Sequence, residues 1–239
     1  KLLSFWMRRG APRQARSRKP RAKLEGQEGS LLTGFEILRD YAGIPGLVYI
    51  KNFLSKEEHD TLLSILYGKQ NDLWVNEEGR FGGTLQRRNQ QYGWKYSYVS
   101  QDIEKANQEM PDWIHSFVVK LKELNVLDDL PQQMIVNEYT PGQGITPHID
   151  KVHCFGKVIT GINLGSAITI DFTLLQDRKN VVEVRVEPRS VYLMTGPARY
   201  EYLHSIFPRT SDTVNHRDIK RAKRVSITLR TVVPLSERE

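Results

Sequence analysis

The rhythm of the second half of this chain constrains its fold more than any other feature. From Met134 onward, short apolar runs alternate with turn residues, at 134–139, 158–164, 168–175, 181–186, 190–195 and 224–233. Runs of this length and spacing read as strands. Two helical patterns stand before them. Ser55 and Glu58 have the spacing of a capping box, opening a helix whose apolar positions include Leu62, Leu63 and Ile65. Pro111 precedes a second helix over 112–124, with Trp113, Phe117 and Leu121 on one face. Residues 46–53 add one early strand. Two helices and then many short strands predict a mainly β fold with flanking helices, a sandwich or barrel with its helices outside. There is no internal repeat.

At 239 residues the chain has room for one ordinary domain and a tail. No run of 18 apolar residues offers a membrane span, so no membrane contact is expected, and the chain is expected to act as a monomer. The single cysteine, Cys154, excludes an intramolecular disulfide and any Cys-x-x-Cys zinc site. The net charge of +7 is unevenly spread: residues 1–24 hold nine basic side chains and no acid, and the 26 basic residues left over face 28 acidic ones. The basic character therefore belongs to the N-terminus. Residues 1–30 read as a basic tail too polar to order itself, ahead of a domain over 31–239. Three roles for the tail stay open: an arm that holds phosphates, an organelle transit peptide, or a solvated extension. The compartment stays open with them, as cytoplasm, nucleus or organelle.

His148-Ile149-Asp150 sets an imidazole and a carboxylate two residues apart, on one face if the segment is a strand. Both can then meet one ion, and a further histidine would complete the two-histidine, one-carboxylate set that binds Fe(II) with open positions for a co-substrate and O2. Chance alone supplies roughly 0.3 such pairs in this composition. A second copy, His216-Arg217-Asp218, lies in a basic, loop-like stretch and is read as solvent-exposed. Further on, Arg224, Ser226, Thr228 and Arg230 recur with period two, and Ile227 and Leu229 face the other way. Two arginines pointing inward from a core strand each need an anion. A dicarboxylate would supply one, gripped by two parallel hydrogen bonds.

Together these residues resemble the AlkB family of Fe(II)- and 2-oxoglutarate-dependent dioxygenases. The resemblance runs from about Gly46 to Val233 and includes Asn137-x-Tyr139, Pro141-Gly-Gln-Gly-Ile-Thr-Pro-His-Ile-Asp150, His204 and the Arg224–Arg230 strand. Ser226 stands where the family usually has Asn. The resemblance implies a double-stranded β-helix, or jelly roll, with Fe(II) on His148, Asp150 and His204. It implies 2-oxoglutarate on Arg224, helped by Asn137, Tyr139 and Ser226, with Arg230 near its other end or the target. The implied reaction consumes O2 and 2-oxoglutarate, yields succinate and CO2, and hydroxylates a C–H bond; an N-methyl group then leaves as formaldehyde.

For the substrate, Arg87-Arg88 resembles the upstream segment of nucleic-acid-binding members, and Tyr92, Trp94, Tyr96 and Tyr98 recur with period two, as one aromatic strand face would. Arg87, Arg88, Tyr92, Trp94 and Lys151 are the candidate substrate contacts, for gripping phosphates and stacking bases. The alternative is a core-facing strand. The Gly-bearing segment 68–83, with Trp74 and Phe81, reads as a lid over a flipped base or as a surface loop. Val152 occupies the place where the repair enzymes carry an acid that contacts the damaged base. Alkylated DNA or RNA is the implied substrate; tRNA or protein side chains, and a non-catalytic nucleic-acid-binding module, are the alternatives.

Overall fold

Alternate residues of one strand belong to two different interiors, and this organises the molecule. In residues 224–232, Val225, Ile227 and Leu229 join a core shared with the helices, whereas Arg224, Ser226, Thr228 and Arg230 face the other way. The computed structural model describes residues 35–69 and 71–238; the basic tail lies outside them.

In chain order the elements are β1 (Ile37–Leu38), β2 (Leu47–Ile50), α1 (Lys56–Tyr67), β3 (Asn89–Tyr92), β4 (Trp94–Tyr96), β5 (Ile103–Lys105), α2 (His115–Glu123), β6 (Gln133–Tyr139), β7 (Ile145–His148), β8 (Phe155–Gly165), β9 (Ile168–Leu174), β10 (Val181–Val186), β11 (Val191–Met194), α3 (Gly196–Tyr200), β12 (Tyr202–Ile206), β13 (Ser211–Val214), β14 (Arg217–Lys220) and β15 (Arg224–Val232). A seven-stranded sheet runs β1-β2-β11-β8-β15-β6-β3, and a four-stranded sheet runs β10-β9-β12-β7. Every pairing is antiparallel. The fold is a jelly roll, two sheets face to face.

Each side of the large sheet has its own core. Phe53, Leu62, Leu66, Phe117 and Leu121 press the two helices onto Met134, Val136, Ile227 and Leu229. Tyr49, Ile159, Tyr192 and Met194 meet Ile168, Ile170 and Phe172 of the small sheet on the other side. Helix α1 begins at the expected capping box: Ser55 Oγ accepts from the Glu58 amide, and the Glu58 carboxylate accepts from the Ser55 amide.

Two expectations are corrected. Tyr92, Trp94, Tyr96 and Tyr98 do not share one strand face. Gly93 adopts φ 71° between β3 and β4 and lies so close to the Gln132 carbonyl that a Cβ would come within 2.0 Å of it. The chain turns there, β3 staying with the large sheet and β4 pairing with β5. The His216–Asp218 stretch is not a loop but the turn and second strand of the β13–β14 hairpin, with Asn215 and His216 in the left-handed region; it is exposed, as expected.

Candidate active site

The register of the small sheet sets His204 of β12 directly opposite His148 at the end of β7, with ring centroids 4.2 Å apart. Asp150 lies just past the end of β7 rather than on it. Ligand atoms of His148, Asp150 and His204 all fall within 4.8 Å of one another. His148 Nδ1 stands 2.8 Å from the Thr146 carbonyl. A carbonyl only accepts, so Nδ1 carries the proton and Nε2 keeps its lone pair, 3.7 Å from Asp150 Oδ1.

Arg230 donates to both oxygens of Asp150, from Nε at 3.1 Å and Nη2 at 3.2 Å. Arg199, buried behind the site, donates to the backbone carbonyls of Asp150, Phe155 and Gly156 and fixes the segment that carries the carboxylate. Burial works against the charge on Asp150, but Arg230 and the two imidazoles prevail and hold the carboxyl well below its usual range. Burial, then the neighbouring His148, pushes His204 down to about 3, and burial also lowers His148. Two neutral imidazoles and one carboxylate are the donor set Fe(II) takes.

The interior face of β15 continues the site. Arg224 is buried, with its guanidinium over the Tyr139 ring at 5.2 Å. Its Nε donates to Asn163 Oδ1 at 2.6 Å, and its Nη2 is buried without a partner. The Asn163 amide is itself fixed, since its nitrogen donates to the carbonyls of Ser166, Val186 and Glu187. Ser226 pairs across the sheet with Asn163 on one side and Asn137 on the other. A buried guanidinium with an idle donor suits one end of a small diacid.

A cavity of about 620 Å³ opens beside His148 and Asp150. Among the candidate substrate contacts, Arg87 and Lys151 line it, with Tyr96, Tyr98, Asn137 and Arg230. Arg88, Tyr92 and Trp94 do not. Arg88 turns outward, bonds both oxygens of Glu138 and covers Trp74. Tyr92 is buried in the helix-side core and donates to Gln90. Trp94 stands between Lys105 and Arg238. The turn at Gly93 separates Tyr92, in the helix-side core, from Tyr96 and Tyr98, which line the cavity.

The lid segment divides too. Trp74 tucks against Tyr67 and donates to the Leu66 carbonyl. Residues 78–84 form a small hairpin with Gly82 and Gly83 at positive φ, and Phe81 is 82% exposed beside the cavity mouth. Val152 is exposed and outside the cavity lining. In the charged stretch after His204, Arg209 and Arg221 bond the buried Asp212 and so hold the β13–β14 hairpin in place.

Sequence reading missed Asn163 and the bond from Arg199 to the Asp150 carbonyl. The only local signal for Asn163 is one amide inside an otherwise apolar run.

The family model of the 2OG-Fe(II) oxygenase superfamily matches residues 46–230. An uncharacterised protein, L905, of Acanthamoeba polyphaga mimivirus is 28% identical over 212 residues, 88% of this chain and 90% of that one. Mouse ALKBH8, a tRNA (carboxymethyluridine(34)-5-O)-methyltransferase, is 33% identical over 176 residues, 71% of this chain but only 25% of its own length. The solved structure of OsALKBH1 superposes with a TM-score of 0.60 at 18% identity, over 82% of this chain and 99% of that one, and shares the fold. The chain therefore belongs to the 2OG-Fe(II) oxygenase superfamily. Its relatives make it an AlkB-type dioxygenase, and the family's chemistry uses Fe(II), 2-oxoglutarate and O2. Among the described residues no helix is long and apolar enough to cross a membrane.

Proposed function

We propose that this dioxygenase acts on a modified base in nucleic acid, with His148, Asp150 and His204 holding Fe(II) and Arg224 holding the distal carboxylate of 2-oxoglutarate. The convergence of the three donors within 4.8 Å, two of them lining a cavity that also carries arginine and tyrosine, is the observation that carries this reading. The residues fit both groups. The imidazoles present lone pairs, Asp150 is kept ionised, and the idle Nη2 of Arg224 awaits an acceptor. Bound there, the iron supplies oxidation of a C–H bond at the expense of 2-oxoglutarate and O2.

The chain's own residues do the positioning. Arg230 keeps the Asp150 carboxylate charged and oriented. Asn163 aims Arg224, and Tyr139 lies under its guanidinium. Tyr96 and Tyr98 line the cavity wall and supply aromatic surface for an unstacked base. An N-methyl group hydroxylated in that position decomposes to formaldehyde and the free base. Relatives named as RNA or DNA demethylases support the nucleic-acid class.

Turnover with a panel of methylated and etheno-bearing DNA and RNA oligonucleotides tests this. Succinate formation coupled to loss of the modification is expected for at least one. No product from the whole panel, with hydroxylation of a lysate protein instead, would contradict it. That second reading, a protein target, draws on Val152, whose side chain cannot hydrogen-bond an exocyclic amine and which lies outside the cavity.

A further inference from the structure

Cys154 is the only cysteine of the chain and is completely buried, yet its sulfur faces polar atoms. Sγ lies 3.5 Å from Asp102 Oδ1 and 3.9 Å from the Gln101 carbonyl oxygen. The exposed imidazole of His153 stands beside them. One ligand atom from each of Asp102, His153 and Cys154 lies within 4.8 Å of the other two, as holds for His148, Asp150 and His204. None of the three lines the cavity, so the cluster is separate from the site described above.

A thiolate, an imidazole and a carboxylate are donors that zinc takes, at about 2.3 Å for sulfur and about 2.0 Å for nitrogen or oxygen. Tetrahedral angles between bonds of those lengths set sulfur and oxygen roughly 3.5 Å apart. Cys154 Sγ and Asp102 Oδ1 already have that separation. Burial, then Asp102, lifts the thiol to about 11, so it is protonated without a metal and an arriving ion displaces that proton to solvent. Thiolate and carboxylate together then balance a divalent charge. Arg238 backs the carboxylate from outside. Its side chain is 8% exposed, Nη1 stands 3.6 Å from Asp102 Oδ1, and neither Nη1 nor Nη2 has a hydrogen-bond partner. A ligating carboxylate is held by an outer donor of this kind. Sulfur also sets the choice of ion. Zn(II) binds such a site more tightly than Mn(II) or Fe(II), whereas the cavity site has no sulfur at all.

We propose that Asp102, His153 and Cys154 form a second metal site, which takes Zn(II) with water in the fourth position and ties together two walls of the cavity. Asp102 closes the turn between β4 and β5, its carbonyl accepting from the Ser97 amide, and Tyr98 and Gln101 reach the cavity from that turn. His153 and Cys154 lie in the turn that follows Asp150, closed by the bond from the Cys154 amide to the Lys151 carbonyl, and Lys151 reaches the cavity from there. The zinc takes no part in the oxidation; it holds one wall against the other.

Co(II), a coloured stand-in for Zn(II), tests this on the full chain loaded with Mn(II) and 2-oxoglutarate. Cobalt bound to a thiolate absorbs in the near ultraviolet. The chain has one cysteine, so that band reports Cys154 alone, and cobalt that strays to the other site gives none. The band should saturate at one equivalent, bleach when Zn(II) is added and be absent in Cys154→Ser. His153→Ala and Asp102→Asn should each weaken the binding tenfold or more. Both residues are exposed, so these two variants leave the core packing alone. Zn(II) should also raise the melting temperature of the wild type and leave that of His153→Ala unmoved. No band in the wild type overturns the proposal. So does a band of undiminished affinity in both His153→Ala and Asp102→Asn, which would reduce the site to a single thiol. A wild-type melting temperature that Zn(II) does not raise overturns the tying role. None of these readouts involves the substrate, so failure of the oligonucleotide panel would leave the zinc site standing.

Discussion

Asn163 and Arg224 act as one unit: the amide oxygen accepts from the guanidinium Nε at 2.6 Å, while the amide nitrogen is tied to three backbone carbonyls and cannot turn over. Replacing Asn163 by Leu leaves a buried donor unmatched and frees the guanidinium to swing. The cost to folding is about 1–3 kcal/mol. The KM for 2-oxoglutarate should rise roughly tenfold or more, with kcat at saturating co-substrate changed far less, because aim rather than chemistry is lost. Steady-state kinetics with 2-oxoglutarate as the varied substrate measure the split.

Asp171 makes stability fall as pH rises. Burial, then the neighbouring Glu183, lifts its carboxyl to about 6, and its Oδ1 is buried without a partner. A carboxyl raised in the folded state favours the protonated form there, while the unfolded chain ionises near the ordinary value. The penalty is absent below about pH 4, grows as pH rises and is complete above about pH 6. Asp171→Asn should therefore raise stability by about 2 kcal/mol at pH 8 and leave it little changed at pH 4. Thermal unfolding at the two pH values checks this.

Gly93→Ala should damage the fold at the turn that separates core from cavity. The new Cβ would meet the Gln132 carbonyl at 2.0 Å, and φ 71° is unfavourable for any L side chain. A loss of about 2 kcal/mol or more is expected in denaturant unfolding, larger than for Gly43→Ala, where φ is also positive but the space is open.

His204 enters the expected donor set through the family resemblance alone; local periodicity and motif spacing foresee six of the strands after Met134 (β6, β8, β9, β10, β11 and β15), the capping box at Ser55, the two faces of β15 and the pairing of His148 with Asp150. These are properties of adjacent residues. The partner of Arg230 was not foreseeable in this way, because it depends on Asp150 reaching across from another sheet. Nor was the role of Asn163, which depends on the β8–β15 register. The period-two aromatics from Tyr92 to Tyr98 misled for a related reason. A glycine within a regular pattern leaves the pattern intact on paper, yet it permits a left-handed turn that sends Tyr92 to one interior and Tyr98 to another.

Anaerobic titration with Fe(II) or Mn(II) is the most direct test of the site. One equivalent per chain should bind, and His148→Ala, Asp150→Ala and His204→Ala should each weaken it by roughly a hundredfold while the fold persists by circular dichroism. Metal binding that is undiminished in any one of the three variants would contradict the account.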